Sequence, residues 1–195
     1  VVPAASPFKT VADLIAAEKA KPGAMTFASA GNGSSDHLSA ELFWLQTGTS
    51  GLHVPYKGAA PAITDLLGGQ VDAAFQNINN VLPHINAGKL RVLAVAAPKR
   101  SPLLPNVPTL AESGVKDAEA TSWQGVVAPK GLPPEVKAQI HAALVEALAD
   151  PAVKQKFGDI GFELVVNTPE QFTAYQASES TRWKKLIETR KISAD

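Results

Sequence analysis

The chain has 195 residues, 45% of them hydrophobic and 18% charged, with acids and bases balanced at 18 each. That is a globular composition with enough apolar material for a core, and zero net charge offers no field to draw nucleic acid or an anionic membrane surface. No cysteine is present, which excludes disulfide frameworks, cysteine nucleophiles and thiolate metal sites.

Thr10 precedes Val11, Leu14 and Ile15, and Asp13 stands three residues after it, the pattern of a capping box opening a helix. Pro22-Gly23 stops that helix, Ala24–Ala28 reads as a short strand, and Gly31-Asn32-Gly33-Ser34 as a tight turn. Leu38, Leu42 and Leu45 then recur on one helical face. Leu52–Val54 is the next strand. Pro61 suits a first helical position, Ile63, Leu66 and Leu67 supply an apolar face, and Gly68-Gly69 ends the helix. Val71–Phe75 predicts a buried strand, Val81, Leu82 and Ile85 a short helix stopped by Gly88, and Arg91–Ala96 a further strand. Such alternation of strands and helices predicts a largely parallel sheet covered by helices.

Pro98, Pro102, Pro105 and Pro108 make the following stretch a connection and not a central strand. Thr109 and Glu112 form another capping box, predicting a helix of one or two turns that Gly114 ends. Ser122–Ala128 is extended and carries Trp123. Three amphipathic helices follow: one after Pro133-Pro134 on Val136, Ile140, Leu144 and Leu148, one on Val153, Phe157 and Ile160, and one from Thr168-Pro169 on Phe172, Tyr175, Trp183 and Leu186. Phe162–Val166 reads as a strand between the last two. These helices need a sheet to cover, and the sequence after Ala128 supplies little of one. Trp44, Trp123 and Trp183 are expected in the core.

The sharpest local feature is Ser29-Ala30-Gly31-Asn32-Gly33-Ser34-Ser35-Asp36-His37-Leu38, between a strand and a helix. The glycines allow close approach of a ligand, and Ser34 or Ser35 can cap a helix whose free N–H groups and positive dipole end suit an anion. The plain alternative is a Gly-rich turn with a Ser cap. A dinucleotide fingerprint fails here, because its third position is Asp36 and no acidic residue follows between Gly51 and Tyr56. Ser34 and His37 lie at a capping distance, and no Gly-x-Ser-x-Gly elbow exposes a nucleophile.

Val54-Pro55-Tyr56-Lys57-Gly58-Ala59-Ala60-Pro61 is a second strand end, turn and helix start, with a hydroxyl at Tyr56 and a charge at Lys57. In an open α/β sheet, ligands bind beyond the carboxyl ends of strands, so the two helix starts are expected at one mouth. Lys57 can equally be a solvated lysine. Phe75-Gln76-Asn77-Ile78-Asn79-Asn80 places amides past a third strand end, suited to polar ligand groups or simply to turn chemistry. His37, His53, His84 and His141 form no ligand pair of metal-site spacing, so no metal is expected. No pair of carboxylates is placed for acid–base work. No basic helix-turn-helix segment is present to read DNA, which weakens the reading as a ligand-sensing regulator.

Taken in order, these stretches resemble the Bug (TctC-like) family of extracytoplasmic receptors of the tripartite tricarboxylate transporter system. The resemblance rests on Ser29-Ala30-Gly31-x-Gly33-Ser34-x-x-His37-Leu38, Val54-Pro55-Tyr56-Lys57-Gly58-x-x-Pro61 and Asp65-Leu66-Leu67-Gly68-Gly69-Gln70-Val71-Asp72. It continues through Ala87-Gly88-Lys89-Leu90-Arg91, Leu104-Pro105-x-Val107-Pro108-Thr109-x-x-Glu112-x-Gly114, Trp123-x-Gly125 and Ala128-Pro129. Each motif alone is weak; the ordered set is specific.

The resemblance implies a periplasmic-binding-protein-like (type II) α/β lobe, residues 3–121, with helices on a mostly parallel sheet. Residues 122–195 then form the return segment and C-terminal helices of an incomplete second lobe, whose N-terminal part has no counterpart here. The start at Val1, with neither Met nor a signal-peptide pattern, leads us to expect a mature or trimmed product. The implied function is non-catalytic capture of a small organic carboxylate in the periplasm, without a cofactor, and its delivery to membrane permease subunits of the TctA/TctB type. Self-association through the incomplete lobe is a further expectation. Carried over by position, the ligand-binding residues are Ser29, Ala30, Gly31, Gly33, Ser34, Ser35 and His37, then Tyr56, Lys57 and Gly58, then Gln76 and Asn77. Many relatives resemble one another in having Asp where this chain has Gln76, and losing that charge argues against an amino-acid ligand.

Overall fold

A computed structural model describes residues 1–193. In chain order its elements are β1 (Val2–Pro3), α1 (Val11–Ala20), β2 (Thr26–Ser29), α2 (Ser35–Thr47), β3 (Leu52–Pro55), α3 (Ala59–Leu67), β4 (Ala73–Ala74), α4 (Ile78–Asn86) and β5 (Leu90–Arg91). Three further helices follow: α5 (Pro134–Ala149), α6 (Pro151–Asp159) and α7 (Pro169–Arg190). The chain divides into two compact units, one of Val1–Ser122 with the chain from Trp183 onward, the other Trp123–Arg182.

In the first unit, β2 pairs in parallel with β3 on one side and β4 on the other. β1 runs antiparallel to β5. Val1 and Ala74 exchange two backbone hydrogen bonds, 2.9 and 3.0 Å, which join these two sheets edge to edge. The resulting order is β3-β2-β4-β1-β5, with β1 the reversed member.

Side chains alternate across a strand, so neighbouring residues serve opposite faces. Phe27 and Ala73 enter a core with Val11, Leu14, Phe43 and Trp44 from α1 and α2. Ala28 and Ala74 enter a second core with Ala62, Ile63, Leu66 and Val81 from α3 and α4. Both faces of the sheet are therefore covered. Each large side chain so buried contributes about 1.5–3 kcal/mol, which is what pins the helices to the sheet.

The capping box at Thr10 and Asp13 forms as predicted, with both reciprocal bonds near 3 Å. The buried stripe of α2 differs from the predicted one. Ala40, Leu42, Phe43 and Trp44 are buried, whereas Leu45 is 41% exposed. The aromatic pair wins the core because Phe27 meets Trp44 edge-on at 5.2 Å. Pro61 stands third in α3, where its missing N–H costs nothing because first-turn N–H groups have no intrahelical acceptor. Thr109 and Glu112 do make their reciprocal bonds, 2.8 and 3.0 Å, but they close hydrogen-bonded turns and not a helix.

Glu18 is fully buried in this unit. Its carboxylate accepts from the Trp44 indole and the Thr49 hydroxyl, each at 2.7 Å. Burial raises its pKa, and the Thr49 and Trp44 hydrogen bonds work against that rise.

In the second unit Trp123 packs edge-on against Phe172 and Tyr175, at 5.5 and 5.8 Å, and is 42% exposed. Gly125 is required there, because a Cβ would lie 2.3 Å from Phe172 Cζ. The predicted strand Phe162–Val166 pairs with no other strand among the described residues. An extended segment becomes a strand only when a neighbour takes its hydrogen bonds. Val126, Val127, Val165 and Val166 are 69%, 77%, 71% and 48% exposed, and α5 and α6 bury no residue.

Glu18→Ala orphans two buried donors and is expected to cost about 2–3 kcal/mol in urea unfolding. Glu18→Gln, which can keep both hydrogen bonds, is expected to stay within about 1 kcal/mol of the wild type. Equal losses in the two variants would remove the role assigned to these bonds.

Candidate functional site

Because β2, β3 and β4 run in the same direction, the turns that follow them share one edge. The register sets Ser29 beside Pro55 and Ala28 beside Ala74. Each turn then launches a helix, so α2, α3 and α4 all begin there.

The first two turns are bonded to each other. Tyr56 N–H donates to Ser29 O and Gly58 N–H to Ala30 O, each at 3.0 Å. Gly31 has φ of +136°, and a Cβ on it would approach Tyr56 O to 3.2 Å, so only glycine fits without strain. Ser34 caps α2: its hydroxyl accepts from His37 N–H at 3.3 Å, and its own N–H donates to Gly31 O at 3.2 Å. The first-turn N–H groups of Ser35 and Asp36 are left to acceptors outside the helix.

The third turn is tied in through Asp36, a residue that capping logic alone passes over. It is 4% exposed, and its Oδ2 accepts from Ala30 N–H at 3.1 Å and from Gln76 Nε2 at 2.8 Å. Its other oxygen lies 3.4 Å from the Ser35 hydroxyl. Burial raises its pKa against the pull of these three donors. A carboxyl group therefore stands directly against Gln76, so the amide at that position does not leave this edge without an acid.

α3 and α4 carry no side-chain cap. Gly58 begins α3 at φ +107°, and Asn77 begins α4 with its Oδ1 taken by the Ser122 hydroxyl at 2.7 Å. Their first-turn donors and dipole ends are thus less satisfied than those of α2. Lys57, exposed between β3 and α3, has no hydrogen bond or ion pair among the described residues. Tyr56 donates its phenolic proton to Asp65 at 2.7 Å, which raises the phenol's pKa. Its oxygen can accept from a ligand, while its proton is committed.

Beneath the edge lies a histidine pair. His37 and His53 stack with centroids 3.7 Å apart and planes 4° apart. His37 Nδ1 accepts from Gly33 N–H at 3.1 Å, and its Nε2 lies 3.5 Å from Glu41. Burial opposes ionisation of Glu41, but the bonds from His37 and Arg190 outweigh it and hold its pKa below the usual range. His53 Nε2 is 2.6 Å from Ser29 Oγ. Burial first, then the neighbouring His37, lower the His53 pKa to about 4.

A serine hydrogen-bonded to a histidine invites a catalytic reading, which the surroundings reject. Ser29 is 1% exposed, and its Oγ is also engaged by both the N–H and the carbonyl of Gly31. No substrate carbonyl can approach it. Ser34 meets only the backbone of His37, whose ring nitrogen is turned to Gly33. The polar groups here hold two turns in shape.

The structure thus brings Ser29, Ala30, Gly31, Gly33, Ser34, Ser35, His37, Tyr56, Lys57, Gly58, Gln76 and Asn77 to one edge of the sheet or directly beneath it. Sequence reasoning missed Asp36, His53 and Glu41 as members of this cluster. The available signal for His53 was a titratable side chain on a short strand flanked by apolar residues; its contact with His37 follows only once β2 and β3 are paired. One open hollow of about 330 Å³ lies between α3 and α4 and reaches Ala59, Ala60 and Asn80 at their starts; another of about 430 Å³ lies by Lys9 and Glu112.

Because the folded-state pKa of His53 lies below its ordinary 6.5, the unfolded chain binds the proton first as pH falls. Stability from this group is present above pH 6.5 and is lost towards pH 4. Partial solvent screening reduces the effect to about 1 kcal/mol. Urea unfolding at the two ends of that window should show the wild type losing about that much more than His53→Gln; parallel losses would contradict the assignment.

The profile of the family described as "Tripartite tricarboxylate transporter family receptor" matches residues 1–192. Protein BugT of Bordetella pertussis is 42% identical over 174 residues, covering 89% of this chain and 53% of its own length. An R. palustris protein solved with adipate superposes with a TM-score of 0.91 at 35% identity, over 98% of this chain and 64% of that one. MatC of Rhodopseudomonas palustris with bound malate gives 0.81 at 29% identity, over 95% and 64%. The chain thus spans about half the length of the curated relatives it matches.

Proposed function

The chain belongs to the tripartite tricarboxylate transporter receptor family, and from that premise we propose that it is part of a periplasmic solute-binding receptor that captures a small organic carboxylate without chemical change. In this reading residues 3–121 form the ligand-binding lobe and residues 122–195 belong to the other lobe. Loaded receptor then hands its ligand to membrane permease subunits of the TctA/TctB type. The observation that carries this reading is the joining of three helix-launching turns at one sheet edge by the bonds of Ala30 and Asp36.

Those turns supply main-chain donors, two uncapped helix dipoles and the Lys57 ammonium, a set that attracts negative oxygen atoms. The Asp36 and Asp65 carboxylates and the Asn77 side-chain oxygen are tied to the protein itself. Two similar proteins hold dicarboxylates, adipate and malate, which supports the same ligand class here.

Each exposed helix-terminus interaction is worth about 0.3–1 kcal/mol, rising to roughly 2 kcal/mol when partly buried. An open edge alone therefore binds weakly. Closure of a second lobe removes water and turns several modest contacts into useful affinity.

Calorimetric titration of the receptor with adipate and malate is expected to show binding with no product formed. Gly31→Ala forces a side chain into a left-handed backbone and against Tyr56 O, and strain of about 1–3 kcal/mol predicts a complex weaker by about fivefold or more. Ser34→Pro removes both the N–H to Gly31 and the hydroxyl cap, with an equal or larger loss expected. Unchanged binding by both variants, or turnover of either acid, would reject the reading.

A further inference from the structure

Ser34 N–H donates to Gly31 O, which closes a four-residue turn with Asn32 and Gly33 at its centre. Gly33 has φ of +72° and Asn32 a negative φ, the signature of a type II turn. The peptide between these two residues can rotate to give a type I turn with little movement of the ends, because glycine adopts either sign of φ. Here its orientation is tied to a side chain: Gly33 N–H donates to His37 Nδ1 at 3.1 Å.

A ring nitrogen that accepts carries no proton. His37 therefore keeps its ring proton on Nε2, which faces Glu41 Oε1 at 3.5 Å. The other oxygen of Glu41 accepts from Arg190 Nε at 2.6 Å. Burial opposes the charge on Glu41, and the bonds from His37 and Arg190 override it. His53 stacks its face on the same ring and spends Nε2 on Ser29, while Asp36 is committed to Ala30 and Gln76. Glu41 is thus the acceptor that the buried His37 Nε2 meets among the described residues. Arg190 is delivered by an anchored helix end: the chain from Trp183 onward packs with the first compact unit, and Leu186, one turn earlier on α7, is buried.

We propose that Glu41 and Arg190 are positioning residues for the first turn of the site: they commit the His37 ring proton to Nε2, so that Nδ1 holds the Asn32–Gly33 peptide in its type II orientation. The effect on ligand rests on the carboxylate-receptor reading. The N–H and C=O of one planar peptide point opposite ways, so rotating this unit exchanges donor for acceptor on each side of the turn. A ligand that meets one fixed arrangement does not lose affinity to the fraction of molecules in the other. Without Glu41, the buried Nε2–H is orphaned and the ring turns to find an acceptor, releasing Gly33.

Glu41→Ala and Glu41→Gln separate positioning from packing, because the Gln amide oxygen can still accept the ring proton. In the ligand-free wild type, ring nitrogen resonances are expected to show His37 Nδ1 unprotonated and coupled to Gly33 N–H; a protonated Nδ1 would overturn the proposal. Hydrogen exchange at Gly33 is expected to quicken about fivefold in Glu41→Ala, the worth of one hydrogen bond, and to change less than about twofold in Glu41→Gln. Arg190→Ala, which removes the holder but keeps the acceptor, should fall between them. Calorimetric affinity for adipate is expected to follow the same order, about fivefold weaker in Glu41→Ala. Unchanged exchange or unchanged affinity in Glu41→Ala, or equal losses in the Ala and Gln variants, would overturn the positioning role. Should adipate and malate both fail to bind the wild type, the carboxylate reading fails by itself. The ring resonances and the Gly33 exchange rates then decide the positioning claim without a ligand.

Discussion

Parallel pairing of β2 with both of its neighbours is the constraint from which the rest follows. Strands that run the same way must end at the same edge, and each must be followed by a crossover to the next. Here the crossovers are α2 and α3, with α4 leading on from β4, so three helix N-termini arrive together without further instruction. The sheet is short, two to four residues per strand, yet alternation along it separates two cores and clamps helices to both faces. Lengthening the strands would add ladder bonds but would not change which ends meet.

At that edge, satisfaction and non-satisfaction of polar groups are divided unevenly. α2 is capped by Ser34 and burdened with the carboxyl of Asp36 in its first turn, so much of its positive end is already answered. α3 begins at a glycine and α4 at an asparagine whose side chain is engaged elsewhere. The positive ends of α3 and α4 are thus less answered from within the protein than that of α2. The stacked histidines and Ser29 act as internal fixtures that shape Gly31 and Gly33. Fixtures of this kind matter at helix starts because contacts there are worth only about 1 kcal/mol each and depend on main-chain geometry.

Much of this was legible beforehand because it depends on local chemistry. Thr10-x-x-Asp13 and Thr109-x-x-Glu112 both make their reciprocal bonds, since a hydroxyl and a carboxylate three residues apart reach each other's N–H groups regardless of context. The breaks at Pro22-Gly23, Gly68-Gly69 and Gly88 hold for the same reason. What failed were statements about partners. Three leucines at helical spacing on α2 were the evident core stripe, yet Phe43 and Trp44 displaced Leu45 because the sheet presents Phe27 at that place. Phe162–Val166 has the composition of a strand and no neighbour to make it one. The second capping box closed turns only, because Gly114 and the surrounding prolines leave no residues to propagate a helix.

The sequence by itself determined where elements start and stop, that helices and strands alternate, and that glycines, serines and amides follow three strand ends. Those are properties of neighbours in the chain, set by backbone sterics and by hydrogen bonds spanning three or four residues. Tertiary structure alone decided that Asp36 joins Ala30 to Gln76, that His37 stacks on His53, and that the phenol of Tyr56 spends its proton on Asp65. These contacts link residues that meet only after strands have been ordered and helices packed. No local rule carries that information, because a buried polar group takes whichever partner the assembled sheet brings within reach.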